Sequence, residues 1–251
     1  MSRRPAGRKA RAARPEPSTV REIHRRLSRT HGPLDPPRRW DPLEELVFTI
    51  LSQNTSDVNS DRAYAALRAR FPSWEALAAA RPSQVVAAIR VGGLANVKAP
   101  RILAVLREIR RREGGFDLSW MRVAADEEVA DYLSSLPGVG PKTVACVLAF
   151  SLGRPALPVD THVHRVATRL GLIPTGMPAA RAHAGLAELV PPRMRVPMHV
   201  GLIRLGRTIC KSGRPRCEEC PLVDLCPTAP SILGAGPAGR RRGRRPVVSS
   251  G

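Results

Sequence analysis

The 251-residue sequence predicts an all-α protein, and three observations carry that prediction. Apolar residues recur three and four positions apart in one segment after another, the period-2 alternation of a half-buried strand is nearly absent, and glycine and proline punctuate the periodic segments. Asp41-Pro42-Leu43-Glu44 opens the first clear helix, with an acid at the N-cap, proline at the first helical position and an acid three residues after the cap. Leu43, Leu46, Val47, Ile50 and Leu51 then follow at helical spacing. Tyr64, Leu67 and Phe71 mark a further helix, and Ile102, Val105, Leu106 and Ile109 another. In DYLSSLPGVGPKTVACVLAF, from Asp131 to Phe150, Tyr132, Leu133 and Leu136 predict a short helix. Pro137-Gly138-Val139-Gly140 supplies a tight turn, and Pro141 opens the next helix. Val144, Val147 and Leu148 form its apolar set, around a lone Cys146 read as a small buried hydrophobe. In PALPVDTHVHRVATRLGL, from Pro155 to Leu172, Asp160 stands between a short apolar segment and a helix with Val163, Val166, Ala167 and Leu170 on one face. There is no fixed-period repeat, and no Gly/Ser-rich or Pro-rich linker divides the middle of the chain, so any two lobes should pack directly together.

Forty-one Lys and Arg stand against twenty-one Asp and Glu, a formal net charge of +20. Such an excess predicts a polyanionic partner. Much of it lies in two tails predicted to be basic and disordered, residues 1–17 with Arg3, Arg4, Arg8, Lys9, Arg11 and Arg14, and residues 230–251 with Arg240, Arg241, Arg242, Arg244 and Arg245. Those charges suit nucleic acid or anionic lipid equally and say little about the site. A hydrophobic content of 43% suits a soluble globular protein. No apolar run approaches the roughly 20 residues of a membrane span, and no apolar segment follows the N-terminal arginines. The expected location is therefore the cytoplasm, with no membrane partner.

Three groups of residues carry chemistry. Gly138 and Gly140 place a turn where the backbone can come close to a ligand, and the exposed N–H groups beside a helix start suit an anion such as a DNA phosphate; an ordinary helix connection is the plainer reading. Lys142 lies just inside that helix, whose positive dipole end opposes the ammonium form and favours a nucleophilic neutral amine over a simple phosphate contact. Asp160 is close enough in sequence to lie beside the mouth of the hairpin, although an aspartate there also reads as an N-cap. His162 and His164 flank it and read as surface or satisfied histidines. Finally, CKSGRPRCEECPLVDLC holds Cys210, Cys217, Cys220 and Cys226 in the spacing C-x6-C-x2-C-x5-C. In a reducing compartment four such thiols are metal ligands, for a tetrahedral zinc or an iron–sulfur cluster. Lys211, Arg214 and Arg216 lie between the first two and could be presented to phosphates.

LPGVGPK, then VDTHVHR, then C-x6-C-x2-C-x5-C resemble the endonuclease III family of helix-hairpin-helix DNA glycosylases, over a stretch from about Asp41 to Cys226. The resemblance implies two α-helical lobes with a DNA cleft between them. Residues 40–153 would form a six-helix barrel bearing the hairpin, and residues 18–39 with 154–229 a lobe carrying a [4Fe-4S] cluster on the four cysteines. It implies a monomer acting on damaged double-stranded DNA, excising oxidised pyrimidines and nicking the abasic site. Lys142 falls on the family's nucleophile and Asp160 on its catalytic aspartate. GGLANVKA, from Gly92 to Ala99, resembles the loop that wedges into the duplex and nominates Leu94; ILSQNTSD, from Ile50 to Asp57, resembles the segment whose glutamine fills the gap left by the flipped base. Here Asn54 stands in that glutamine's place, with Gln53 adjacent. The adenine mismatch glycosylases share hairpin and cluster but have a hydroxyl residue in place of the lysine and a glutamate where this chain has Thr49. A non-catalytic iron–sulfur DNA-binding protein would have no need of both Lys142 and Asp160.

Overall fold

The computed structural model describes residues 15–36 and 40–234, and every regular element among them is helical. The chain begins with α1 (Pro17–His31) and then enters a first lobe built from α2 (Pro42–Ser52), α3 (Asp57–Arg70), the five-residue α4 (Trp74–Ala78), α5 (Pro82–Ile89), α6 (Ala95–Glu113), α7 (Asp126–Ser134) and α8 (Pro141–Cys146). The caps follow from the sequence. Asp41 accepts from the N–H groups of Leu43 and Glu44 at 2.9 and 3.0 Å, Ser73 accepts from Ala76 at 3.1 Å, and α6 stops at Gly114, whose φ of +72° suits a residue without a Cβ. α8 runs on as a π-helical turn, Val147–Ser151, closed by Leu152 N–H on Val147 O at 3.1 Å. Leu46, Ile50, Leu67, Ile102 and Leu106 are fully buried in this lobe's core, each contributing about 2 kcal/mol of apolar burial.

The chain leaves the first lobe at Arg154, whose guanidinium donates to Met121 O and Ala124 O at 2.6 and 2.7 Å and pairs with Asp126. Leu157 and Val159 then enter a second core, shared by α1, α9 (Thr161–Arg169), α10 (Ala179–Leu189) and α11 (Arg195–Thr208). α1 and α11 approach closely because Gly201 has no side chain: a Cβ there would stand 3.0 Å from Leu27 Cδ1. Arg204 caps the open end of α1, donating to His31 O and Pro33 O at 2.8 and 2.7 Å. Arg26 fastens α1 to the cysteine loop through Asp224 and Pro221 O.

At both ends order extends further than the composition suggests. Pro17 already opens α1, and α12 (Ala229–Leu233) takes residues predicted to begin the C-terminal tail. At the C-terminal end the cause is a tertiary contact: Thr228 Oγ1 donates to Arg169 O at 2.8 Å and Ala229 is buried. The arginine runs of both tails lie outside the described residues. No helix among the described residues is long and apolar enough to cross a membrane.

Candidate active site between the two lobes

A cleft of about 1540 Å³ separates the lobes, and Gln53, Asn54, Gly138, Gly140, Lys142 and Asp160 all line it. Leu94, Lys211 and Arg214 are not among its lining residues. The hairpin is shaped by its two glycines in different ways. Gly138 has φ +72°, a conformation that favours glycine, and a Cβ there would fall 2.7 Å from Arg101 Nε, so that side chain would have to shift. Gly140 has an ordinary extended φ of −110° and nothing within 4 Å of a Cβ position; its bareness leaves room on the cleft side. Among the described residues neither glycine's N–H donates to a protein acceptor. Lys142, second residue of α8, is half-buried and faces the cleft.

Asp160 arrives from the second lobe as the N-cap of α9, with Oδ1 accepting from Val163 N–H at 2.7 Å. The capping role therefore holds, and it fixes the carboxylate at the cleft wall. His164 Nε2 lies 2.7 Å from Met177 O, and His162 Nδ1 lies 3.2 Å from Arg165 Nη2, so both flanking histidines are satisfied. A third histidine, His199 of α11, had no sequence signature. It is buried, lines the cleft, and donates from Nδ1 to Pro158 O at 2.7 Å. Burial depresses its pKa to about 4, against a smaller opposing pull from Asp160, with Lys142 and Arg207 adding to the depression. Cys146 is buried as read from sequence, and it also lines the cleft one turn beyond Lys142. Burial pushes its thiol up, with the Lys142 ammonium opposing.

The two proposed wedge positions share a backbone peculiarity. Asn54 and Leu94 have φ of +53° and +50°, the two positive values outside glycine among the described residues. Leucine in this region is strained, at a cost of about 1–3 kcal/mol that the surroundings must hold. Leu94 is 54% exposed. Lys98 holds the two loops: 2% exposed, its Nζ donates to Leu51 O and Thr55 Oγ1 at 2.6 Å each and to Gly92 O at 2.9 Å. Thr55 Oγ1 also donates to Gly92 O at 2.5 Å. Gln53 is held back by Arg101 Nη1 at 2.8 Å, whereas Asn54 is exposed.

The four cysteines line one small cavity under α9 and α11. Among the described residues no three His, Cys, Asp or Glu side chains converge as ligands of a single metal ion. The thiols nonetheless lie close enough to influence one another electrostatically. Cys220 is pushed up to about 11 and Cys217 upward, by burial first and then by the charges their cysteine neighbours would carry. A soft cation relieves that mutual repulsion, so the donor set fits a thiolate-held metal group. Arg169 shapes the loop, donating to Cys210 Sγ at 3.3 Å, Lys211 O at 2.7 Å and Ser212 O at 3.0 Å. Lys211 and Arg214 are exposed on this loop, and neither head group has a protein partner among the described residues.

Known proteins share this arrangement. Residues 47–192 match the family described as HhH-GPD superfamily base excision DNA repair protein. Endonuclease III of Thermotoga maritima is 36% identical over 207 residues, 82% of this chain and 90% of its own length. The Arabidopsis thaliana relative At3g47830 is 37% identical over 72% of this chain, which spans 65% of that longer protein. A solved structure of a trapped endonuclease III–DNA covalent intermediate superposes with a TM-score of 0.76 at 25% identity, covering 87% of this chain and 99% of the other. On the family match, the identity and the shared fold, the chain belongs to the HhH-GPD superfamily of base excision DNA repair glycosylases, as a homologue of endonuclease III.

Proposed function

We propose that this protein is a bifunctional DNA N-glycosylase and AP lyase that excises oxidised pyrimidines from duplex DNA and nicks the resulting abasic site. The observation that carries the reading is the pairing of Lys142 and Asp160, brought from different lobes to the wall of one cleft. A glycosidic bond is unreachable inside the base stack, so the damaged nucleotide must be extruded into such a cleft. The free N–H groups of Gly138 and Gly140 suit its backbone phosphate, and Asn54 and Leu94 suit the gap left in the duplex.

The Lys142 amine supplies the electron pair that forms a bond to C1′, and the glycosidic pair departs with the base. The Asp160 carboxylate offsets the positive charge that grows on the sugar and takes the proton released by the amine. The sugar then opens: the nitrogen lone pair forms the C=N bond as the C1′–O4′ bond breaks, and O4′ takes the proton held by Asp160, giving a Schiff base that acidifies the C2′ hydrogen; loss of that proton expels the 3′ phosphate and cuts the strand. Cys210, Cys217, Cys220 and Cys226 would hold a [4Fe-4S] cluster, whose part is to fix the shape of the loop that presents Lys211 and Arg214. One cleft with both side chains in one chain suits a monomer acting on damaged double-stranded DNA.

Incubating the protein with an abasic duplex and borohydride tests this directly. Wild type should give a covalent protein–DNA adduct, and Lys142→Ala should give none while retaining DNA affinity; an undiminished adduct from the variant would assign the nucleophile elsewhere. Absorbance near about 400 nm separates an iron–sulfur cluster from zinc.

A further inference from the structure

A cleft for a polyanion is best lined by positive charge, yet four carboxylates line this one among the described residues: Glu45, Asp57, Asp61 and Asp160. Asp160 caps α9 and serves the reaction proposed above, and Glu45, buried on α2, accepts from Thr49 Oγ1 at 2.9 Å. Asp57 differs because its partner comes from the other lobe. It stands in the first turn of α3, and its two carboxylate oxygens accept from the two terminal nitrogens of Arg207, in the last turn of α11, with Nη2 to Oδ1 at 2.9 Å. Arg207 lines the cleft as well. The pair therefore crosses from the first lobe to the second at the cleft wall.

Three properties make this pair exchangeable. A phosphate offers a guanidinium the same two-oxygen fork that the carboxylate offers here. Both side chains are open to solvent, 40% for Arg207 and 62% for Asp57, so the pair adds little to stability and opens at small cost. Each charge also sits at the helix end that favours it, the acid at an N-terminus and the base at a C-terminus, and stays stabilised when the two separate. Arg204, one turn earlier on α11, shows the contrast: it lines the same cleft but is committed to the carbonyls of His31 and Pro33, acceptors built into its own lobe.

We infer that Arg207 is a phosphate-binding residue that Asp57 holds in the free protein, the carboxylate standing where a backbone phosphate of the entering duplex will stand. The inference rests on the DNA-repair reading above and deepens it by naming a contact. On entry the guanidinium exchanges one anion for another: two hydrogen bonds to the carboxylate open, two to phosphate oxygens form, and Asp57 returns to water at the start of α3. Displacing the carboxylate lowers the affinity for any duplex by the strength of the pair.

The test titrates a labelled undamaged duplex by fluorescence anisotropy at several salt concentrations, with wild type, Asp57→Asn, Arg207→Gln and the double variant. Both substitutions replace exposed side chains, and the far-ultraviolet helical signal shows that each variant is folded. Arg207→Gln should weaken binding and flatten the slope of log affinity against log salt by about one, as loss of a phosphate contact does. Asp57→Asn should strengthen binding. Part of that gain is simple removal of negative charge, which the double variant measures against Arg207→Gln alone. The gain with Arg207 present should exceed the gain without it by about two- to fivefold, the strength of an exposed ion pair. Equal gains would show that Asp57 does not restrain Arg207, and an unchanged slope in Arg207→Gln would place the guanidinium away from phosphates; either overturns the inference and leaves the repair reading standing. Wild type that binds no duplex overturns both.

Discussion

A buried histidine that stays neutral in the folded chain and takes up a proton on unfolding makes a quantitative test of the cleft. His199 is about 4% exposed, and its pKa falls from 6.5 to about 4 chiefly because burial penalises the imidazolium. Between those values the unfolded chain binds a proton that the folded chain refuses, so stability is complete above about pH 6.5 and declines as the pH falls toward 4. The whole shift corresponds to about 3 kcal/mol, of which about 2 kcal/mol is already lost at about pH 5. His199→Asn keeps a donor for Pro158 O and removes the titration. Urea unfolding followed by the far-ultraviolet helical signal, at about pH 8 and about pH 5, gives the stability change for each protein. Burial also lowers the pKa of His24, His31 and His183, but these are common to both proteins and cancel in the difference. Wild type should lose about 2 kcal/mol more than the variant over this interval. Equal losses would show that His199 is hydrated or charged in the folded protein, against the burial found for it.

Lys98→Met should lower stability by about 3 kcal/mol in a thermal melt, because the buried carbonyls of Leu51 and Gly92 lose a charged donor; an unshifted midpoint would show water taking the place of the ammonium. The two hairpin glycines should behave oppositely. Gly138→Ala meets Arg101 at a positive φ and should cost about 1–3 kcal/mol, whereas Gly140→Ala should fold normally and weaken DNA binding in a filter or anisotropy titration, since its methyl group would occupy only the cleft. Lys211→Ala and Arg214→Ala should each weaken DNA binding regardless of sequence and reduce the slope of log affinity against log salt by about one. A slope equal to wild type would place both side chains away from phosphates.

Local chemistry explains which features could be read in advance. Asp41-Pro42 and Pro141 act through contacts within a few residues, and Gly138 through its own positive φ, so the first helix and the hairpin follow from the sequence directly. Lys142 and Asp160 could be nominated because ordered motifs surround them, and each motif points its residue into the same cleft. Glu45 resisted the same treatment: beside Glu44 it looks like another acid of a helix first turn, and only the packing of α2 against α8 turns it toward the cleft. Its one trace in the sequence is an acid four residues before Thr49, one helical turn away on α2. His199 and Lys98 left no trace, because their partners, Pro158 O for the one and Leu51 O and Gly92 O for the other, are backbone atoms supplied by folding. Leu94 was nominated by its loop, but its left-handed backbone has no signature in a leucine; it stands two residues after Gly92, whose carbonyl Lys98 holds.

That lysine has a mechanical consequence. Its ammonium bonds Leu51 O and Thr55 Oγ1 on one side and Gly92 O on the other, so the segment after α2 and the segment before α6 are mounted on a common pivot. Sliding one past the other would break a buried charged hydrogen bond, so under the DNA reading proposed above Asn54 and Leu94 would be displaced as one unit, like two tines of a fork.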